Sequence, residues 1–208
     1  MKAIIINGSP RKNGNSNIVA ERFAAQLAEH GIGSEVLQIG SMDIKGCKGC
    51  WASADNPGCV QKDDAFRDAA AKVYDADGIF VVAPVFYDSI PGQLKSFLDR
   101  LFFQDRSGGG MRGKVGAASV VLRRSGGVSA LDNILHYMMC AGMIIAASEG
   151  ESMVFGMEKG EALKDLEGLD IIDNLADNMA WIMKMKEATA ETVPKPELKD
   201  RAQMNFIR

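Results

Sequence analysis

Hydrophobic positions along the chain alternate between two periods. Short continuous apolar runs, rich in β-branched residues, read as buried strands. Longer stretches with apolar residues three and four apart read as amphipathic helices. Lys2–Ile6 is the first such strand, followed by a helix from Ile18 to His30 in which Ile18, Val19, Phe23 and Leu27 mark one face. A stop at Gly31 and Gly33 leads into a second strand, Ser34–Ile39. The pattern continues with a helix over Asp63–Asp75, a strand over Gly78–Pro84 and a helix over Pro91–Phe103. Lys114–Leu122 is then a strand, Val128–Cys140 a helix, Met143–Ser148 a fifth strand and Leu169–Lys186 a long closing helix.

Five strands separated by helices imply an α/β fold, because right-handed crossovers of this length favour parallel pairing. A doubly wound five-stranded parallel sheet of order 2-1-3-4-5, with helices on both faces, is expected. Ligands of such sheets bind beyond the carboxyl ends of the strands, where the strand order reverses. That point falls between strands one and three, so the loops after these two strands should share a ligand. One domain over residues 1–190 is expected, followed by a tail over 191–208. In the tail, Val193-Pro194-Lys195-Pro196 breaks the helix, and Met204, Phe206 and Ile207 are anchors for docking on the same domain or on a partner subunit.

The loop after strand one is Asn7-Gly8-Ser9-Pro10-Arg11-Lys12-Asn13-Gly14-Asn15-Ser16-Asn17. It combines small residues, hydroxyl and amide donors and two cations at the start of a helix. Free N–H groups and the positive end of the helix dipole make that a site for a phosphate. Gly8 and Gly14 are separated by five residues and Asn15 stands where a nucleoside-triphosphate loop needs lysine; G-x-G-x-x-G is also absent. A monophosphate fits better than either, the plainer reading being a connection with Asn15 or Ser16 as helix N-cap. The loop after strand three, Pro84-Val85-Phe86-Tyr87-Asp88-Ser89-Ile90-Pro91-Gly92, brings two aromatics and a hydroxyl suited to a flat polar ring, or to a hydrophobic plug. After strand four, Arg123-Arg124-Ser125-Gly126-Gly127 allows close backbone approach to a ligand. One phosphate, one aromatic loop and one glycine loop on a common rim describe flavin mononucleotide (FMN).

Three segments together resemble the flavodoxin-like NADPH-dependent FMN reductases: Gly8–Ser16, Ala83–Tyr87, and Pro91-Gly92-Gln93-Leu94-Lys95 through Leu98-Asp99-Arg100. The resemblance implies noncovalent FMN, its phosphate held by Ser9, Arg11, Asn15, Ser16 and Asn17 with Lys12 nearby. It implies that Pro84, Val85, Phe86, Tyr87, Asp88 and Ser89 contact the isoalloxazine, and that Ser125, Gly126 and Gly127 form the third wall. It further implies NAD(P)H as electron donor, a small acceptor such as a quinone, flavin or metal ion, and a homodimer or homotetramer. The alternative is an electron-transfer protein working with protein redox partners. Hydride transfer needs no acid–base residue, and no catalytic residue is assigned.

Cys47-Lys48-Gly49-Cys50 with Cys59 resembles the cysteine segment of the iron–sulfur flavoprotein branch, but Ser53 stands where that motif has its third thiolate. A four-iron cluster takes four thiolates, so an iron–sulfur cluster is not expected. A vestigial loop, a zinc or iron site completed from elsewhere and a redox-active thiol pair all remain open. Trp51 is read either as a shield for a flavin edge or as a half-buried ring. Cys140, among Met138, Met139 and Met143, reads as core.

Composition narrows the setting. A chain of 208 residues with 47% hydrophobic and 25% charged residues is an ordinary globular protein. A net charge of −3 makes no case for nucleic acid or an anionic membrane. No apolar run approaches the ~18 residues of a membrane span. Four cysteines without a secretory signal point to a cytoplasmic protein with reduced thiols.

Overall fold

The computed structural model describes residues 1–52 and 58–198. All strands are parallel: β1 (Lys2–Asn7), β2 (Gly33–Leu37), β3 (Gly78–Pro84), β4 (Val115–Leu122), β5 (Ile144–Ile145) and β6 (Met153–Phe155). The helices are α1 (Asn15–Glu29), α2 (Phe66–Tyr74), α3 (Gly92–Gly108), α4 (Gly127–Cys140) and α5 (Leu166–Ala188). Sheet order is β2-β1-β3-β4-β5, as the alternation of periods implies. No helix among the described residues is long and apolar enough to cross a membrane.

The central strands are buried on both faces, which is why their sequences are continuous apolar runs and not alternations. Ile4, Ile6, Ile79, Val81, Ala83, Val120 and Leu122 belong to the core beneath α2, α3 and α4. Ala3, Ile5, Phe80, Val82, Ala117 and Val121 belong to the opposite core, beneath α1 and α5. Phe23 of α1 stacks on Phe80 with ring centroids 3.7 Å apart, both fully buried. α1 ends where expected: Gly31 takes φ +74° and Ile32 N–H returns to Leu27 O at 3.0 Å.

The expected fifth strand is the main departure. The edge of the sheet is built from two pieces, so the sheet has six strands and not five. Register runs from Gly116↔Ile145 to Val120↔Met153, so four steps along β4 correspond to eight along the edge. The intervening Ser148-Glu149-Gly150-Glu151 is too polar to continue an inward-facing strand. Asn174 and Asn178 of α5 instead hold it from outside, through Glu149 at 3.0 Å and Ala147 O at 2.7 Å. Restarting at Met153 lets the edge reach the carboxyl end of β4, and the chain after Phe155 therefore emerges on the ligand rim. After α5 the chain folds back on its own domain, where Arg112 donates to Pro196 O and Lys195 to Arg112 O, each at 2.7 Å. The rest of the expected tail lies outside the described residues.

Two supports fix the loops at the rim. The 3-10 turn Ile39–Ser41 after β2 packs directly under the Gly8–Ser9 backbone. A Cβ at Gly40 would overlap Gly8 O and Ser9 O, which cannot retreat as a side chain could. Gln38 completes the brace, accepting from Asn7 Nδ2 at 3.1 Å and donating to Ser9 O at 2.5 Å. The second support is an ion pair between Arg100 of α3 and Asp64, with both side chains fully buried. Arg100 also donates to Lys45 O (3.1 Å) and Gln61 O (3.2 Å) and lies over the Phe66 ring at 4.0 Å. Asp64 accepts from the Lys45 and Phe66 amides at 2.9 and 3.3 Å. The pair thereby clamps both ends of the segment that carries Cys47, Cys50 and Cys59. Arg100 thus caps a neighbouring loop, while Asp99 pairs with Lys95 on the helix surface at 2.8 Å.

Burial opposes the charge on Asp64, but the Arg100 guanidinium and the two amides outweigh it and hold the carboxyl below its usual range. A depressed folded value means that the stabilisation is present above the ordinary carboxylate pKa and lost as pH falls through the folded one. Asp64→Ala should cost about 3–5 kcal/mol, because it strands a buried guanidinium. Urea unfolding across pH 3–7 checks this, and the acid limb of the stability profile should flatten in the variant. Gly40→Ala should cost about 1–3 kcal/mol by overpacking against a rigid backbone, read by the same unfolding curves.

Candidate functional site

The Gly8–Gly14 loop leaves β1 with Gly8 N–H still in the ladder, bonded to Val82 O at 2.8 Å. Asn7 Oδ1 then accepts the Ser9 amide (3.0 Å), and Ser9 Oγ accepts the Arg11 amide (3.1 Å). These bonds turn the chain back toward the sheet and into α1. Gly14 stands at the capping position, no side chain caps the helix, and its first turn holds no acidic residue. The plainer reading of the loop, with Asn15 or Ser16 as N-cap, is therefore not what forms. An α-helix leaves its first amides without internal partners; here Asn17 N–H turns back to Gly14 O at 3.0 Å, while Asn15 and Ser16 line the cleft at the positive end of the dipole.

The cleft has a volume of about 410 Å³, within the range of small-molecule sites. Ser9, Arg11, Asn15 and Ser16 line its first wall, and Pro84, Val85 and Phe86 its second. Val121, Leu122 and Arg123 at the end of β4 form the third. A fourth wall, absent from the sequence reading, consists of Gly156, Met157 and Lys159 after β6. The glycines at 156 and 160, bracketing a Met-Glu-Lys triplet after a short apolar run, are the only signal the sequence offers for it. Arg11, Arg123 and Lys159 line the cleft without an ion-pair partner among the described residues.

Lys12, Asn17, Tyr87, Asp88, Ser89, Ser125, Gly126 and Gly127 do not line this cleft. Lys12 points to solvent, and Asn17 donates to Glu21 at 2.7 Å. Tyr87 and Asp88 form the tip of a two-residue hairpin closed by paired bonds between Phe86 and Ser89 (2.8 and 3.0 Å). Both tip residues have positive φ, 48° and 59°. That conformation costs on the order of 1 kcal/mol for each non-glycine residue. It leaves the Tyr87 ring wholly exposed beside the mouth of the cleft. Gly126, at φ +81°, is approached by Asp88, whose Cα lies 2.7 Å from an ideal Cβ position. The close approach that this glycine permits is thus between the second and third loops. Ser125 to Gly127 support the hairpin and open α4.

The cysteine segment sits apart from the cleft. Cys47 and Cys50 are exposed, Cys59 is half-buried, and the Cys59 carbonyl accepts from Arg67 at 2.8 and 3.2 Å. Ser53 lies outside the described residues, and among the described residues no group of three or more potential ligands is arranged to hold a metal. Trp51, at φ +57°, packs edge-on to Phe103 (5.2 Å) with Arg106 over its ring, away from the cleft. Cys140, the last residue of α4, is exposed, not core. His30 holds Asp177 of α5 at 2.7 Å, a packing contact between α1 and α5.

Residues 1–154 match the family model described as NADPH-dependent FMN reductase. The chain is 31% identical over 188 residues to an iron–sulfur flavoprotein of Methanosarcina thermophila, covering 89% of this chain and 96% of that protein. Among solved structures it is similar to RosB with a bound 8-demethyl-8-formylriboflavin-5'-phosphate intermediate, with TM-score 0.73 and 14% identity over 100% of this chain and 94% of that one. It is also similar to a flavodoxin from the domain Archaea, with TM-score 0.59 and 19% identity over 88% and 99% of the two chains. Sheet order, loop placement and the span of the match agree: the chain belongs to the NADPH-dependent FMN reductase family and has the flavodoxin-like fold.

Proposed function

We propose that this chain binds FMN noncovalently in the four-walled cleft and passes electrons from a reduced nicotinamide to a small acceptor. The observation that carries the reading is the uncapped start of α1 opening into a cleft lined by apolar side chains and by cations without an ion-pair partner among the described residues. The residues fit the cofactor at both ends. Amides of the first turn of α1, with Ser9 and Ser16, are donors for a phosphate. Pro84, Val85, Leu122 and Met157 offer apolar surface to a flat ring, while Phe86 and Tyr87 stand at the mouth. When bound, FMN supplies hydride acceptance and the release of electrons singly or in pairs.

The protein's part is to position and to bias. The strained Phe86–Ser89 hairpin holds Tyr87 in the open, where its ring can cover one side of the cofactor and leave the other to a nicotinamide. Arg11 and Arg123 attract the phosphates of an anionic nicotinamide, whereas a rim of acidic residues would favour a carrier. The relative from Methanosarcina thermophila supports a second reading, an FMN electron carrier that exchanges electrons with protein partners. The cationic rim is the reason to rank it second. A homodimer or homotetramer whose neighbour helps cover the flavin completes the proposal.

Purified protein reconstituted with FMN should show the two-band visible spectrum of a bound flavin and bleach on anaerobic addition of NADPH or NADH. A flavin that binds but stays oxidised supports the carrier, and a chain that retains no FMN contradicts both readings. Ser16→Ala should weaken FMN binding by about three- to tenfold, the effect of one net hydrogen bond of about 1 kcal/mol, measured by quenching of flavin fluorescence.

A further inference from the structure

The fourth wall of the cleft is built with unusual care for a surface loop. Gly156 N–H donates to Leu122 O at 2.9 Å, which fixes where the chain leaves the sheet. Glu161 folds its carboxylate under the loop and accepts the Met157 and Glu158 amides at 3.0 and 2.9 Å. Asn15, the first residue of α1, reaches across and uses both ends of its side-chain amide. Its Nδ2 donates to Glu158 O at 2.9 Å, and its Oδ1 accepts from the Gly160 and Ala162 amides at 2.9 and 3.4 Å. A side chain at Gly156 would press on Asn15 Nδ2 and Ala162 N, so only glycine fits beneath this contact.

Two consequences follow for the phosphate end of the cleft. The Asn15 side chain is engaged at both ends, Nδ2 spending one of its two hydrogens on Glu158 O, so beside any contact of its own with a phosphate it holds a neighbouring segment in place. What it holds is the segment between Glu158 and Gly160, whose middle residue is Lys159. That lysine lines the same cleft as Ser9 and Ser16 and has no ion-pair partner among the described residues. The nearby Glu161 carboxylate is already engaged by the loop amides and by Lys164 at 3.8 Å. The loop also lies beyond the residues 1–154 that match the family model.

We propose that Lys159 is a counter-charge for the cofactor phosphate, set against the amino end of α1 by Asn15, which acts as a positioning residue. The inference rests on the FMN reading and assigns to it a half of the phosphate site that the loop after β1 does not contain. Charge on the donor roughly doubles the strength of a hydrogen bond to phosphate, and the effect is confined to the phosphorylated flavin.

Titration of the full chain with FMN and with riboflavin, followed by quenching of flavin fluorescence, tests this. Lys159→Gln should weaken FMN by about tenfold or more and leave riboflavin unchanged, and Lys159→Arg should restore most of the loss. Asn15→Ala should weaken FMN to a similar extent, and the double variant should lose much less than the product of the two single effects, because both act through one contact. A Lys159→Gln protein that binds FMN like the wild type overturns the assignment, as does an equal loss for FMN and riboflavin. A wild-type chain that binds neither flavin overturns the cofactor reading itself, a result distinct from a tight wild type with an indifferent Lys159→Gln.

Discussion

α1 starts without a cap, and the architecture around it follows from that. Amides of a first helical turn must find partners or water. Most helices meet the need with a serine, threonine, aspartate or asparagine at the N-cap. Here glycine occupies the position, and the asparagine that follows is turned away toward Glu158 and Gly160. The donors and the helix dipole are thus kept for something from outside the chain. Every rim element bears on this opening. Gln38 and Gly40 hold the preceding loop from below, Pro84 to Phe86 face it across the cleft, and the loop after β6 closes it from the side.

The same arrangement explains why the sheet edge is broken. An unbroken fifth strand in the register of Gly116↔Ile145 would set the polar Glu149 beside Val120 and Glu151 beside Leu122. The polar excursion from Ser148 to Glu151 lets the chain rejoin β4 at Val120 and deliver Gly156 beside Leu122. An irregularity in the sheet is therefore what places Lys159 at the site. The Arg100–Asp64 clamp has a comparable role on the other flank. It anchors the cysteine segment to α3, with Trp51 edge-on to Phe103 and beneath Arg106, clear of the cleft.

The layers of the fold were legible because parallel strands buried on both faces are written as apolar runs. Lys2–Ile6, Gly78–Pro84 and Lys114–Leu122 were found within a residue of their observed bounds for that reason. Met153-Val154-Phe155 was missed because three residues carry no period, and the preceding polar run reads as the end of a strand. At the cleft, the loops that carry Ser9, Arg11, Asn15 and Ser16 and Pro84, Val85 and Phe86 stood out by their local chemistry, since loop and helix adjoin in sequence, and the family resemblance supplied the individual residues. Lys159 was not, because only the Asn15 contact, between residues far apart in the chain, shows where it goes. Cys140 was misread because a cysteine among methionines looks apolar, whereas in the last turn of α4 Met138 takes the buried position and Met139 and Cys140 are exposed.

The account turns on the first amides of α1 being the phosphate donors, and amide NMR of the full chain with and without FMN tests that directly. The Asn15 and Ser16 amides should shift downfield and gain protection from exchange when FMN is added, and should not when riboflavin is added. Amides in this turn that are indifferent to FMN, in a chain that binds it, would contradict the account.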